Sequence, residues 1–360
     1  YVTIFIFFVF FSFIEIFTKQ KNIAKYLFIF SCLLLFILSF IRWKTGTDWD
    51  NYQTYFEGIL YKPYANDSFE PGFRAINYIA RSISKEYTIS LFFSGIILFT
   101  FQSLGIVKFS IYPMTSLTFL YASQLANILF VRQWIAVAIL FYSIKFIRDN
   151  KFWQFLLLVL LATTIHRSAI VFVLAWWIYQ NWISFKKMLI VLASSIVFSY
   201  LLHYLLQSLL GSFGGAVIQH KLEKYLSDSY NEELNEQMNF TLILIKGIAN
   251  KLVVLLGSMY IYGKLKEEDK FFRGLINIYW LGCVIYFVTI SISLALVRFS
   301  FAFDIVQIIL ITYILSHFSN IRNRGIIFAV LLAYAALRLF TFLNSPYQDE
   351  FVPYKHITIF

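Results

Sequence analysis

Charge is scarce in this chain. Only 14% of its 360 residues are Asp, Glu, Lys or Arg, whereas 60% are hydrophobic and 21% aromatic. Ordinary soluble domains carry about 25% charged and about 45–50% apolar residues. No water-soluble interior of this size hides such an excess, so a soluble enzyme is excluded. Cysteine is nearly absent too. Cys32 and Cys283 both fall inside apolar runs without metal-ligand spacing, which makes them packing residues. No two His or acidic residues show a metal-binding spacing such as HExxH, so no protein-bound metal is expected, and there is no GxSxG elbow or Walker loop either. No cleavable signal peptide stands out, because the first apolar run leads into Lys19-Gln20-Lys21 without a small-residue cleavage pattern.

Long apolar runs are what the chain has in plenty. A bilayer span needs about 20 mostly apolar residues. Runs at roughly 1–17, 25–41, 86–107, 112–129, 131–147, 152–166, 168–184, 187–210, 240–262, 273–292, 297–316 and 325–343 predict an all-α polytopic integral membrane protein. The expectation is about 12 transmembrane helices forming a single transmembrane domain over residues 1–360. Lys and Arg set the sidedness: one set of alternate, short loops holds 15 of them, and the opposite, much longer set holds 9. Dense basic loops belong in the cytoplasm. Both termini are then outside, as are two long loops at about 42–85 and 211–239. These loops contain short amphipathic stretches, such as Phe73, Ile76, Ile79, Ala80 and Ile83 at helical spacing, suited equally to an interfacial cap or a surface helix. The net charge of +11 is explained by the basic loops, and no nucleic-acid partner is expected.

Charges within or at the ends of spans are costly and point to function. Arg42, Arg132, Arg167, Arg298 and the pair Lys246 and Lys251 all fall towards the external side. Snorkelling to headgroups accounts for any one of them, least comfortably for Lys251, about 15 Å below the external start of its helix. Together they suit phosphate, which a guanidinium grips through two parallel hydrogen bonds. Asp304 reads differently: a buried pair with Lys246 or Lys251 satisfies both charges without a catalytic role. His166 is a lone histidine at a helix end. It suits either an ordinary interfacial position or a base beside Arg167 and Ser168.

The first external loop is the most informative segment. It runs Arg42-Trp43-Lys44-Thr45-Gly46-Thr47-Asp48-Trp49-Asp50-Asn51-Tyr52, continues through Tyr55, and later reads Glu70-Pro71-Gly72-Phe73. Carboxylates and amides interleaved with aromatic rings suit sugars, whose C–H faces stack on rings while their hydroxyls meet polar groups. Trp49, Tyr52, Tyr55 and Gln133 are candidate sugar contacts. Asp48 and Glu70 are the first-ranked candidate bases, with His166 third.

The stretch Arg-x-x-x-Gly-Thr-Asp-aromatic-x-x-Tyr, followed by Glu-Pro-Gly-Phe, resembles the EpsG family of Wzy-like membrane polysaccharide polymerases. Arg132-Gln133 and the His166-Arg167-Ser168 turn fit the same family, and the tail Val352-Pro353-Tyr354-Lys355 is a weaker echo. The resemblance implies joining of repeat units carried on undecaprenyl diphosphate at the outer face of a bacterial cytoplasmic membrane. Arg42, Arg132, Arg298 and Lys246 would then neutralise the departing diphosphate. The partners expected are a lipid-linked donor, a lipid-linked acceptor and the bilayer, with a chain-length regulator as a further candidate. No cofactor is expected, since the donor already carries its activating diphosphate. The alternatives are a glycan ligase, an acyltransferase, or a transporter of lipid-linked sugars. The last sits poorly with the lack of a convincing internal repeat.

Overall fold

The computed structural model describes residues 1–18, 20–46, 48–61, 69–125, 128–129, 131–212, 240–265, 267–292, 296–345 and 348–357, without the side chains of 206–212. The expected second external loop, about 211–239, lies almost entirely outside the described residues. The chain is helical, with no strand among the described residues. Its first half holds α1 (Val2–Phe17), α2 (Lys21–Ile41), α3 (Trp49–Gly58), α4 (Pro71–Ile83), α5 (Thr88–Phe109), α6 (Pro113–Gln124), α7 (Arg132–Arg148) and α8 (Phe152–Thr163). A 3-10 turn, Arg167–Leu174, leads into α9 (Ala175–Gln180), α10 (Phe185–Ser212), α11 (Phe240–Tyr262) and α12 (Lys270–Ile290). A second 3-10 turn, Leu296–Ser300, precedes α13 (Phe301–Asp304), α14 (Gln307–His317), α15 (Ile321–Leu343) and α16 (Gln348–Phe351).

All twelve apolar runs are helical at least in part, but spanning length is reached less often. Among the described residues, seven helices are long and apolar enough to cross a membrane: α2, α5, residues 185–205 of α10, α11, α12, the stretch Leu296–His317, and α15. The expected count of about 12 is therefore not carried by helix length. The run 112–129 stops at Gln124 because Leu125 turns left-handed (φ 48°) and its amide closes back on the Leu120 and Tyr121 carbonyls. The run 168–184 divides into a 3-10 turn and the 6-residue α9. At 1.5 Å per residue, a 12-residue helix such as α6 or α8 covers about 18 Å of a hydrocarbon core about 30 Å thick.

The chain forms two compact units, residues 1–173 with 311–360, and residues 174–310. In the first, α6 and α7 are buried nearly all round, from Met114 to Ala122 and from Trp134 to Phe141, as expected of helices enclosed by other helices. α6 packs against α1 and α15, and α7 against α5 and α8. Glu15 of α1 caps α6 by accepting the Met114 and Thr115 amides, each at 2.8 Å. In the second unit α12 is central, packed on α9, α10 and α11. Asn277 of α12 donates to the Ile178 and Asn181 carbonyls at 3.0 and 2.8 Å, so the end of α9 is not left unpaired. Lys251 of α11 pairs with Asp304, which also accepts from Ser300 at 2.9 Å. This is the buried pair expected for Asp304, and Lys251 rather than Lys246 is the partner.

Candidate functional site

Glu70 occupies the N-cap of α4, where Pro71 presets the first helical turn. Its carboxylate does not cap its own helix. It is 6% exposed and turns inward, accepting from Arg132 Nη1 at 2.8 Å and from the Arg167 amide at 3.1 Å. Arg167 Nε lies 3.9 Å from the same carboxylate, although the Arg167 side chain is otherwise exposed.

Close backbone approach makes this meeting geometrically possible. The Gly72 amide donates to the Thr164 carbonyl at 2.6 Å. A Cβ at Gly72 would lie 2.3 Å from Thr164 Oγ1 and 2.8 Å from the Thr164 carbonyl oxygen, so only glycine lets α4 dock on the turn after α8. That turn carries His166, 9% exposed, whose Nδ1 lies 2.7 Å from Ser168 Oγ. The Glu-Pro-Gly and His-Arg-Ser motifs, distant in sequence, are thus one structural joint.

Arg132 begins α7, whose N-cap Val131 offers no side-chain acceptor. The positive end of the helix dipole adds to the guanidinium charge there. The guanidinium lies 4.8 Å from the ring centroid of Phe69 and 6.0 Å from those of Tyr52 and Phe73. Tyr52 and Tyr55, one turn apart on α3, both pack against Phe69 and Phe73 and stay half-buried. Arg132 Nε is buried and has no hydrogen-bond partner among the described residues. Gln133 is half-buried in the same turn of α7.

Arg42 is placed differently. It is 3% exposed and donates through Nη1 to the Thr45 carbonyl at 3.0 Å and to the Leu129 carbonyl. Gly46, at φ 113°, brings its backbone against Leu129, where a Cβ would lie 2.8 Å from the carbonyl oxygen. The tail closes over this loop: the Trp43 amide donates to the Lys355 carbonyl and the Gly46 amide to the Glu350 carbonyl, both at 2.9 Å. Burial pushes the Arg42 guanidinium below its ordinary range, opposed by Tyr87, Tyr354, Tyr1 and Tyr52. Burial raises the Tyr87 hydroxyl, and it pushes Tyr354 up to about 12 against the pull of Arg42.

Trp49 is also packed in. It is 5% exposed, stands edge-on to Trp43 and Tyr87, and lies beneath the Arg42 guanidinium at 5.6 Å. Its ring is part of the wall and offers no open face for stacking on a sugar, contrary to the expectation from its type. Asp48 sits at the N-cap of α3, half-buried beside it.

The first unit therefore brings together Glu70, Arg132 and the His166 turn with Tyr52 and Tyr55, with Arg42, Asp48 and Trp49 in the adjoining loop. Arg298 and Lys246 belong to the second unit and are exposed there, Arg298 in the 3-10 turn before α13 and Lys246 on α11. Among the described residues no group of three His, Cys, Asp or Glu side chains is placed to hold a metal ion. The cage residues Phe69 and Phe73 and the capping Glu15 escape a reading by motif. A lone carboxylate inside an apolar run, however, is the same signal that marks Asp304.

The first unit thus holds a largely buried ion pair at a helix N-terminus, walled by aromatic rings. The EpsG family model matches residues 25–356, and the chain belongs to the EpsG family. Membership implies a membrane polysaccharide polymerase-like function. No curated protein and no solved structure matches the chain.

Proposed function

We propose that this protein is a polysaccharide polymerase of the O-antigen or exopolysaccharide type. It transfers a glycan from polyprenyl diphosphate onto a lipid-linked repeat unit at the outer face of a bacterial cytoplasmic membrane. The observation that carries the reading is Arg132: ion-paired to Glu70, set at the start of α7, and holding a buried Nε donor with no partner among the described residues. In the transfer, the bond from the anomeric carbon to the diphosphate oxygen breaks with its electron pair, and the acceptor oxygen takes its place. Arg132 neutralises the charge gathering on the diphosphate, a stabilisation made strongest in the transition state.

Both oxygens of Glu70 are engaged, one by Arg132 and one by the Arg167 amide. That suits Glu70 to positioning Arg132 better than to taking a proton. Asp48, which shares its loop with the aromatic rings, and His166, in the turn against α4, are the bases that receive the acceptor hydroxyl's proton. Tyr52, Tyr55 and Gln133 flank the sugar, while Arg42 and Trp49 stiffen the loop that carries Asp48.

The test is a gel of surface glycan from cells lacking the protein, complemented with wild type or with single alanine variants. Wild type restores a length ladder, and Arg132→Ala, Asp48→Ala and His166→Ala collapse it to single repeats. A normal ladder in cells lacking the protein overturns the polymerase reading. Full ladders from every variant overturn the site.

A further inference from the structure

A groove of about 1050 Å³ runs along the first unit between α2 and the later half of α5. It opens at the start of α2, where Lys21 stands about 30 Å of helix from Arg42 at the other end. Its walls are apolar, with Phe28, Leu33 and Phe36 on α2 facing Phe99 and Leu104 on α5. Its mouth is cationic. Lys21 and Lys25, one turn apart and both exposed, stand there with Arg324 from the first turn of α15. Glu15 also lines the mouth, but its oxygens are taken by the Met114 and Thr115 amides and the Thr115 hydroxyl, so the positive end of α6 answers its charge. Three cations are left facing the opening.

An apolar slot with a basic rim at the helix ends is complementary to a lipid with an anionic phosphate headgroup. From Lys21 to Phe36 the slot follows about 22 Å of α2, more than half of a hydrocarbon core about 30 Å thick, which is length enough for an acyl chain from a single leaflet. We propose that this groove binds one anionic diacyl phospholipid from the leaflet at the Lys21 end, headgroup on Lys21, Lys25 and Arg324. The proposal rests on none of the roles given to Glu70 or Arg132.

The full chain, reconstituted in bilayers mixing phosphatidylglycerol and phosphatidylcholine, is released and weighed by native mass spectrometry. Wild type retains phosphatidylglycerol in preference to phosphatidylcholine. Each of Lys21→Ala, Lys25→Ala and Arg324→Ala cuts that preference about fivefold. Leu104→Trp, which fills the groove and keeps its cations, abolishes retention. The exposed pair Lys186→Ala and Lys187→Ala leaves it intact. Equal retention of both lipids, or an equal loss in the Lys186 and Lys187 variant, overturns the proposal. Displacement of phosphatidylglycerol by added polyprenyl phosphate overturns it in favour of the carrier lipid.

Discussion

Glu70 and Arg132 stand 62 residues apart in the chain and meet at 2.8 Å, the carboxylate from the N-cap of α4 and the guanidinium from the first turn of α7. The same carboxylate receives the Arg167 amide, so three segments converge on one buried side chain. Removing one member of such a joint disturbs the others, and their effects should not add.

Arg132→Lys keeps the charge but loses the planar fork and the Nε donor. If Arg132 steadies the leaving diphosphate, polymer formation falls about 10²–10³-fold, the usual cost of losing a transition-state donor. Glu70→Gln releases Arg132 and falls in the same range. The double variant is expected to be no worse than the poorer single one. Initial rates with lipid-linked repeats in membrane vesicles measure this, and effects that multiply would separate the two residues.

Gly72→Ala tests the joint from the backbone side. The new methyl meets Thr164 Oγ1 and the Thr164 carbonyl together, so α4 must lift from the turn that holds His166. Activity is expected to drop at least about tenfold, with a core overpacking cost of about 1–3 kcal/mol. Adding Thr164→Ala removes the hydroxyl clash but not the carbonyl one, so rescue should be partial. Full activity in Gly72→Ala alone would detach the Glu70 motif from the His166 turn.

Arg42 and Arg132 look alike as helix-end cations but sit in different surroundings, so their variants should fail differently. Arg42→Met leaves the Thr45 and Leu129 carbonyls buried without their donor, at about 1–3 kcal/mol each. Lower thermal stability in detergent is expected, with activity lost as a consequence. Arg132→Lys is expected to melt near wild type. Equal melting for wild type and Arg42→Met would return Arg42 to the diphosphate.

Tyr354 braces the tail beside Arg42, its hydroxyl donating to the Leu38 carbonyl at 2.5 Å. Its pKa, raised by burial to about 12, lies above the unfolded value of about 10. The neutral form is therefore the one that folding favours. Its contribution is complete below about pH 10 and lost as pH rises towards 12. The melting difference between wild type and Tyr354→Phe should be constant below about pH 10, and wild type should lose stability relative to the variant as pH rises from about 10 towards 12.

Much of this arrangement is legible before folding. The helix over Phe73 to Ile83 follows from its spacing and appears as α4, and the Asp304 pair follows from the cost of a charge in an apolar run. The choice between Lys246 and Lys251 is also written in the periodicity. Leu244, Gly247, Lys251, Val254 and Ser258 share the buried face of α11, and Lys246 falls off it. Other features depend on tertiary contact. α6 is short because Leu125 turns left-handed and closes its end, and no local signal requires that turn. Trp49 reads as a stacking platform by type, but Tyr87 and Arg42 cover it. Arg132 and Glu70 each stand out singly, whereas their pairing depends on Gly72 docking against Thr164.

The Lys251–Asp304 pair offers a test of structure against chemistry in the second unit. Both residues are buried, and the Lys251 ammonium also lies 4.5 Å from the Tyr286 ring centroid. Asp304→Ala strands a buried ammonium and should cost on the order of 3 kcal/mol of stability. Exposed Lys246→Ala should cost little. Replacing both partners with apolar residues, Lys251→Met with Asp304→Leu, removes both desolvation costs and should recover most of the lost stability. A purely structural pair then also recovers polymer formation in the double variant. Recovered stability without recovered polymer would move the pair into the transfer itself, as a charge that the lipid-linked substrate must meet.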